Sequence, residues 1–361
     1  MAYLTVFVLL LLTLYVAYCI YRVVPLPEGW KRAIAIIFCL PLACFVLLRT
    51  RYHSYLPMEM AASIYVIGNS WLIFFLYVLL MFVLLKLLQL CKVLPKGFLK
   101  DNWTATAIVF VTVIALLIYG GIHYNHKYRE EIDITSPKIE KPLKVVLASD
   151  LHIGYHNRRP ELARWVDIIN AEQPDLVLFA GDIVDRSLRA LQDDGDAAEF
   201  RRIKAPVYAC LGNHEYYADA DSSAAFYSEA GINLLKNEWT EVCGIVVIGR
   251  DDNYNFASRK PLGRFTSDID SSKFTLLLDH QPEDLDEAME CGIDFQFSGH
   301  THNGQIWPAT IVTSLVYENS YGYCEKEGTR YYVSSGLGIW GGKFRIGTRS
   351  EYVVLNLRPE R

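Results

Sequence analysis

The sequence predicts a chain in two parts: an N-terminal α-helical membrane region of about four spans and a C-terminal α/β domain, a two-sheet β-sandwich flanked by helices. Three observations predict this fold class. The residues before His123 are mostly Leu, Val, Ile, Phe, Tyr and Ala. The remaining residues have the polar mix of a globular domain and can bury a full core. Their short apolar runs alternate with helical stretches.

The predicted boundaries follow from composition. We expect the membrane region at 1–123, a linker at 124–143 and the globular domain at 144–361. The linker is predicted because this segment is polar and charged and contains Pro137 and Pro142.

Four apolar runs reach or approach the ~20 residues that a helix needs to cross a bilayer. They lie at 2–24, 33–48, 64–85 and 104–122. The second run is short and contains Pro41. The first run has no basic leader and more apolar runs follow it, so we expect a span and not a cleaved signal peptide.

Lysine and arginine residues in the loops predict the orientation of these spans. Seven of them follow the first and third spans, against four on the opposite side, which include Arg49 and Arg51. Because basic loops remain in the cytoplasm, we expect a multi-pass protein of the cell membrane with its globular domain outside the cytoplasm. The stretch 85–99 indicates either a basic amphipathic segment at the membrane interface or the end of span three with its loop.

Charge and cysteine content exclude other classes of protein. The formal net charge of −5 argues against a nucleic-acid partner, because phosphate backbones require a basic face. The eight cysteines show neither a CxxC motif nor zinc-ligand spacing, so we expect no structural thiolate metal site.

The globular part contains short apolar runs that predict strands, and one clear helical stretch at 161–171. The predicted strands are 145–149, 176–180, 207–211, 245–249, 274–278, 295–298, 331–334 and 352–357.

Metal-capable side chains follow five of these runs. The motifs are Asp150-Leu151-His152, Gly181-Asp182 with Asp185, Gly212-Asn213-His214-Glu215, Asp279-His280 and Gly299-His300-Thr301-His302. In an extended Asp-x-His or His-x-His segment both side chains point the same way. Carboxylates, imidazoles and an amide without thiolates suit Mn²⁺, Fe or Zn²⁺. Because ligands bind beyond the carboxyl ends of strands in such folds, a metal centre is expected there.

These five blocks, in this order, resemble the signature of the calcineurin-like metallophosphoesterase superfamily across about residues 144–357. The segment Gly336-Leu337-Gly338-Ile339-Trp340, followed by Arg345-Ile346-Gly347, is similar to the membrane-associated bacterial branch of that superfamily. The resemblance implies a metallophosphoesterase domain that hydrolyses a phosphorylated substrate with a metal-activated water.

The resemblance also implies two divalent metal ions, of Mn, Fe or Zn, and a role for each site residue. The implied ligands are Asp150, His152 and His302 for one ion, Asn213, His280 and His300 for the other, and Asp182 as a bridge between them. His214 is implied as a general acid or transition-state stabiliser. Asp185 would orient His214 or a metal ligand, with a helix N-terminal cap as its alternative role. Arg345 lies on a glycine-rich loop, where it either contacts substrate or packs within the loop.

Three functional hypotheses remain open on the sequence. The first is a phosphodiesterase or phosphatase that acts on lipid, envelope or nucleotide phosphates, with the membrane and a lipid-linked substrate as partners. The second is a UDP-2,3-diacylglucosamine pyrophosphatase of lipid A synthesis, which requires a cytoplasmic catalytic domain. The third is an inert membrane scaffold, for which substituted ligand positions would be expected, and the chain has none.

Overall fold

The computed structural model describes residues 2–48, 50 and 55–360. Arg49 and Arg51, two of the basic residues from which the orientation of the spans is predicted, lie outside the described residues. The chain divides into two compact units, the first at Met1–Ile122 with Gly341–Lys343 and the second at His123–Trp340 with Phe344–Arg361.

The described part of the first unit is helical. Its helices are α1 (Ala2–Val23), α2 (Glu28–Cys39), α3 (Pro41–Leu47), α4 (Met58–Leu90) and α5 (Trp103–Asn125), the last of which ends within the second unit. Four segments are long and apolar enough to cross a membrane: Leu4–Val23, Glu28–Leu47, Met58–Leu90 and Trp103–Asn125. The sequence predicted about four helical segments of membrane length. These segments are confirmed as elements of the fold.

The second of these segments differs from its predicted bounds. Helix α2 begins at Glu28, so the segment reaches 20 residues where the apolar run alone is shorter. Lys31 continues the helix because its ammonium group forms an ion pair with Asp101. Pro41 begins α3, since its ring tolerates the first helical turn but cannot donate a backbone hydrogen bond. The stretch 85–99 contains the end of α4 and the turns that follow it.

The second unit contains twelve strands and eight further α-helices among its described residues. The strands are β1 (Lys127–Ser136), β2 (Leu143–Ala148), β3 (Leu176–Ala180), β4 (Val207–Cys210), β5 (Asn233–Leu234), β6 (Glu238–Val242), β7 (Ile245–Gly249), β8 (Thr275–Leu278), β9 (Phe295–Ser298), β10 (Gly322–Lys326), β11 (Thr329–Val333) and β12 (Ser350–Pro359). The helices are α6 (Arg159–Ala171), α7 (Arg189–Asp194), α8 (Asp196–Phe200), α9 (Asn213–Ala218), α10 (Ala220–Ala230), α11 (Gly263–Thr266), α12 (Leu285–Glu290) and α13 (Ala309–Val316).

The strands form two six-stranded mixed sheets that pack face to face. One has the order β1-β12-β2-β3-β4-β5 and the other β10-β11-β9-β8-β7-β6. Val145 and Leu178 of the first sheet share one buried cluster with Val247 and Phe297 of the second. Apolar faces of both sheets are thereby removed from water, which stabilises the sandwich. The predicted α/β fold class with two mixed sheets is confirmed.

The predicted linker at 124–143 contains a strand. β1 pairs in parallel with β12 over Lys127–Ser136, and Ile134 is buried in the core between the sheets. The exposed positions of this edge strand carry charged side chains such as Glu131 and Asp133, so the composition of the segment is polar. The linker prediction is therefore wrong for these ten residues, because a strand with one face in water needs apolar residues only at alternate positions.

Asp196, at the start of α8, is a buried carboxyl group outside the predicted site. It is fully buried, and no donor among the described residues reaches either of its oxygens. Burial and the nearby Asp194 carboxylate raise the pKa of Asp196 to about 7. Since this pKa exceeds the ordinary value of 3.8, the folded state binds this proton more tightly than the unfolded state.

The free energy of unfolding is therefore expected to fall as pH rises from about 4 to 7, by up to roughly 1.4 kcal/mol for each pH unit. Asp196→Asn removes this loss of stability at higher pH. The midpoint of thermal unfolding of Asp196→Asn, relative to the unmodified protein, should rise between pH 5 and pH 8. Asp193→Asn, at an exposed carboxylate of α7, is the matched control and should show no such trend. A pH-independent difference for Asp196→Asn would contradict the assignment.

Candidate active site

The carboxyl ends of parallel strands from both sheets bring the predicted site residues together. In the first sheet β2, β3 and β4 run parallel, as do β7, β8 and β9 in the second. The segments that follow these strands carry every predicted metal ligand and both predicted catalytic residues, and Asn213 and His214 begin α9. The site residues are Asp150 and His152 after β2, Asp182 and Asp185 after β3, Asn213 and His214 after β4, His280 after β8, and His300 and His302 after β9.

Several of these residues have a strained backbone. Asp150, His152, Asp182, His300 and His302 have φ angles of 55°, 47°, 52°, 68° and 50°, in the left-handed region that favours glycine. The expectation of extended Asp-x-His and His-x-His segments is therefore wrong. Left-handed turns direct these side chains inward, at a cost of order 1–3 kcal/mol each, and such strain is concentrated at functional sites.

Two glycines allow the strand ends to approach closely. A Cβ atom at Gly212 would lie 2.3 Å from Asp182 Oδ1, and one at Gly299 would lie 2.3 Å from Asp150 Oδ2. Both distances are far below van der Waals contact. Any larger residue at Gly212 or Gly299 would displace a carboxylate of the site.

The first cluster contains Asp150, His152 and His302, all buried. His302 Nε2 lies 3.3 Å from Asp150 Oδ1 and 3.0 Å from His152 Nε2. Burial lowers the pKa of His302 well below its ordinary value, so this imidazole is neutral. One carboxylate oxygen and two ring nitrogens thus face one point, as metal ligands do.

The second cluster contains Asp182, His280 and His300, with Asn213 beside it. Asp182 Oδ2 lies 3.2 Å from His280 Nε2, and His300 Nδ1 lies 2.8 Å from Asn213 Oδ1. Burial, reinforced by the neighbouring charge of His280, lowers the pKa of His300 to about 4. At neutral pH the ring of His300 therefore carries a free lone pair.

His280 is oriented as a metal ligand would be. Its Nδ1–H donates to the carbonyl of Ala180 over 2.7 Å, so a neutral ring would carry its lone pair on Nε2. Nε2 is buried and has no hydrogen-bond partner among the described residues. Burial opposes a proton on His280, but Asp182, 3.2 Å away, outweighs it and raises the pKa of this ring, so a metal ion would have to replace that proton.

The site attracts positive charge. Burial opposes the charge on Asp182, but His280 and His214 outweigh it and hold the pKa of this carboxyl well below its usual range. Burial likewise opposes a proton on His152, but Asp150 and Asp185 outweigh it and raise the pKa of His152 to about 10. Ionised carboxylates among imidazoles, without a thiolate, form a donor set that fits divalent metal ions.

Asp185 contacts both His214 and His152, and these three side chains form a further group able to hold a metal ion. His214 Nδ1 lies 2.9 Å from Asp185 Oδ1, and the rings of His214 and His152 have centroids 4.5 Å apart. Asp185 is buried and does not cap a helix, because the next helix, α7, has Leu188 at its N-cap. The cap alternative for Asp185 is therefore wrong, and the structure brings it into contact with His214.

Glu215 connects the loops after β3 and β4. Its side chain accepts backbone N–H groups of Asp182 over 3.0 Å, Val184 over 2.8 Å and Gly212 over 2.7 Å. Burial and the charge of Asp182 raise the pKa of Glu215 to about 7. Glu215 thus positions the loop that carries Asp182 without facing the cleft.

Arg345 packs within its loop and does not line the cleft. Its side chain is fully buried, and its guanidinium donates to the backbone carbonyls of His302 over 2.8 Å and Gly338 over 3.0 Å. These donors fix the loop that carries His302, so the structure favours packing within the loop, one of the two roles left open for Arg345. Arg345 is a positioning residue.

A cleft of about 400 Å³ opens over the clusters. Asp182, Asn213, His214, His300 and His302 all line it, together with residues that the sequence motifs do not identify: Arg186, Tyr217, Thr313, Tyr317 and Trp340. Only Trp340 had a signal in the sequence, as part of the glycine-rich segment. The others come from loops and α13, whose position follows from the tertiary fold.

Comparisons with known proteins agree with this geometry. The family profile of the calcineurin-like phosphoesterases matches residues 143–304. A metallophosphoesterase of Campylobacter jejuni is 30% identical over 261 residues, which are 70% of this chain and 69% of the relative. One of Helicobacter pylori is 32% identical over 240 residues, covering 64% of each chain.

A third relative is described as a membrane protein. The transmembrane protein with metallophosphoesterase domain of Danio rerio is 28% identical over 312 residues, which are 78% of this chain and 71% of the relative. The chain thus spans about two thirds of the length of these relatives. The superfamily predicted from the motifs is confirmed: this chain belongs to the calcineurin-like phosphoesterase family, as a metal-dependent phosphoric ester hydrolase.

Proposed function

We propose that this chain is a membrane-anchored two-metal phosphohydrolase that cleaves a phosphate ester or anhydride bond of a lipid-linked or other envelope phosphate. The position of Asp182 between the two clusters supports the two-metal proposal most directly. Asp182 Oδ2 lies 3.2 Å from His280 Nε2 and 3.6 Å from His152 Nε2, so one carboxylate faces both ligand sets.

Each cluster would hold one ion, of Mn, Fe or Zn. The proposed ligands are Asp150, His152 and His302 for one ion, Asn213, His280 and His300 for the other, and Asp182 as the bridge. Two such ions supply Lewis acidity and a water of lowered pKa for in-line attack on phosphorus.

The proposed role of His214 is to move a proton at the leaving oxygen. Because Asp185 accepts from Nδ1, Nε2 is the ring atom left for the substrate, and His214 lines the cleft. Arg186 is exposed at the same cleft and offers a cation to the phosphate charge.

The cleft supports an amphiphilic substrate. Tyr217, Tyr317 and Trp340 provide aromatic walls. α13 contributes Thr313 to the cleft, while its Leu315 and Val316 are 81% and 67% exposed. Exposed apolar residues beside a polar site are suited to a lipid-linked phosphate. The helices of membrane length in the same chain also support a lipid-linked substrate.

The metal assignment predicts the effect of Asp182→Asn. The neutral amide cannot neutralise two cations, so we expect metal content to fall from two ions per chain to one or fewer. Elemental analysis of protein loaded with Mn²⁺, Fe²⁺ or Zn²⁺ measures this. Asp268→Asn, an exposed carboxylate of the same unit, should retain both ions. Two ions in Asp182→Asn would contradict the bridging role.

The catalytic assignment predicts the effect of His214→Ala. We expect kcat for bis-p-nitrophenyl phosphate or p-nitrophenyl phosphate to fall by about 10²–10⁴, with metal content unchanged, because only proton transfer is removed. His126→Ala, at an exposed histidine of the same unit, is the matched control. Full activity in a folded His214→Ala protein would refute the role of His214.

The orientation proposal can be tested with the chain's own thiols. Cys243 is exposed in the second unit and Cys91 is exposed after α4. If the catalytic unit lies outside the cytoplasm, a membrane-impermeant maleimide should label Cys243 and spare Cys91 in intact cells. Cys243→Ser and Cys91→Ser identify the labelled site. Labelling of Cys91 alone would place catalysis in the cytoplasm and favour the UDP-2,3-diacylglucosamine pyrophosphatase alternative.

A further inference from the structure

A second cavity, of about 310 Å³, lies within the first unit and is unrelated to the metal clusters. α1, α4 and the segment 91–100 form its walls. Four cationic side chains line it: Arg22, Lys86, Lys96 and Lys100. Tyr15 and Phe82 line it too, so the cavity combines positive charge with an aromatic wall.

The walls of this cavity are held in place by hydrogen bonds. Gln89 of α4 donates from Nε2 to the carbonyls of Pro95 and Lys96, both over 3.0 Å, which closes the segment onto the helix. At the other end of the segment, the N–H of Asp101 donates to the carbonyl of Arg22 over 2.9 Å. The lysines of this segment are therefore carried by a fixed backbone.

The lining of the cavity carries a net positive charge, which the nearby Asp101 offsets in part through its interactions with Arg22 and Lys100. The described residues that line it include no carboxylate. Asp101, which follows Lys100 in the chain, forms its ion pair with Lys31. Arg22 Nη1 donates to the hydroxyl of Tyr18 over 2.9 Å, which orients the guanidinium without neutralising it.

We propose that this cavity binds the phosphate of an anionic lipid head group. Basic loops alone would follow from membrane topology, but here four cations line one half-open cavity beside helices of membrane length. Guanidinium and ammonium groups are strong donors to phosphate, and basic pockets between membrane helices suit anionic head groups. Tyr15 and Phe82 provide contacts for the adjoining apolar part of a lipid.

Native mass spectrometry of the full chain in detergent tests this proposal. The protein is treated with EDTA so that phosphate cannot bind through metals at the catalytic site. Phosphatidylglycerol, phosphatidylcholine and inorganic phosphate are the three probes. We expect retention of phosphatidylglycerol, and a loss of affinity of at least about tenfold in the double variant Arg22→Gln, Lys86→Gln.

Lys92→Gln is the matched control, because Lys92 is an exposed cation of the same segment that does not line the cavity. Circular dichroism and the thermal midpoint establish that each variant is folded. Equal affinity for phosphatidylglycerol and phosphatidylcholine, or unchanged affinity in the folded double variant, would overturn the proposal. Tight binding of inorganic phosphate without phosphatidylglycerol would assign the cavity to a soluble anion and overturn the lipid source.

Discussion

The position of Asp182 is the constraint on which the catalytic site depends. Its backbone N–H donates to Glu215, and its Oδ1 accepts the N–H of His214 over 2.8 Å. Its Oδ2 is left to face His280 and His152. One side chain thus fixes the loop after β4 and presents charge to both ligand clusters. Because these contacts share one carboxylate, changes at Asp182, Glu215 and His214 should not be additive.

The buried carboxyl groups of Asp185 and Glu215 have different roles because their surroundings differ. Burial opposes the charge on Asp185, but hydrogen bonds from His152 and His214 hold its pKa well below the usual range. Glu215 lacks such cationic partners and has a raised pKa, although it accepts three backbone N–H groups. Asp185 therefore acts on the ring of His214, whereas Glu215 acts on the backbone. Two buried acids in adjacent loops have different tasks because one faces imidazoles and the other faces amides.

The sequence alone was sufficient to predict those site residues that lie in short segments at strand ends. Asp150, His152 and the other motif residues could be placed together because carboxyl ends of parallel strands meet at one edge. The conformation of these turns was not predictable from the spacing, since left-handed φ values at Asp150 and His302 depend on contacts from other loops. β1 was missed because alternating charged residues resemble a linker. The sequence left two roles open for Arg345, because a charged residue on a loop gives no sign of burial by distant carbonyls.

The energetics of the site argue against the inert-scaffold alternative. Five non-glycine residues with strained backbone reduce the stability of the fold, and so does the burial of the ion pair between His280 and Asp182. A scaffold would gain stability by replacing them with glycine or apolar side chains. The same features become favourable once cations bind, because ligands held in place lose little conformational entropy on binding. The stability cost in this chain is therefore explained by metal binding and catalysis, and a purely structural role for these residues does not account for it.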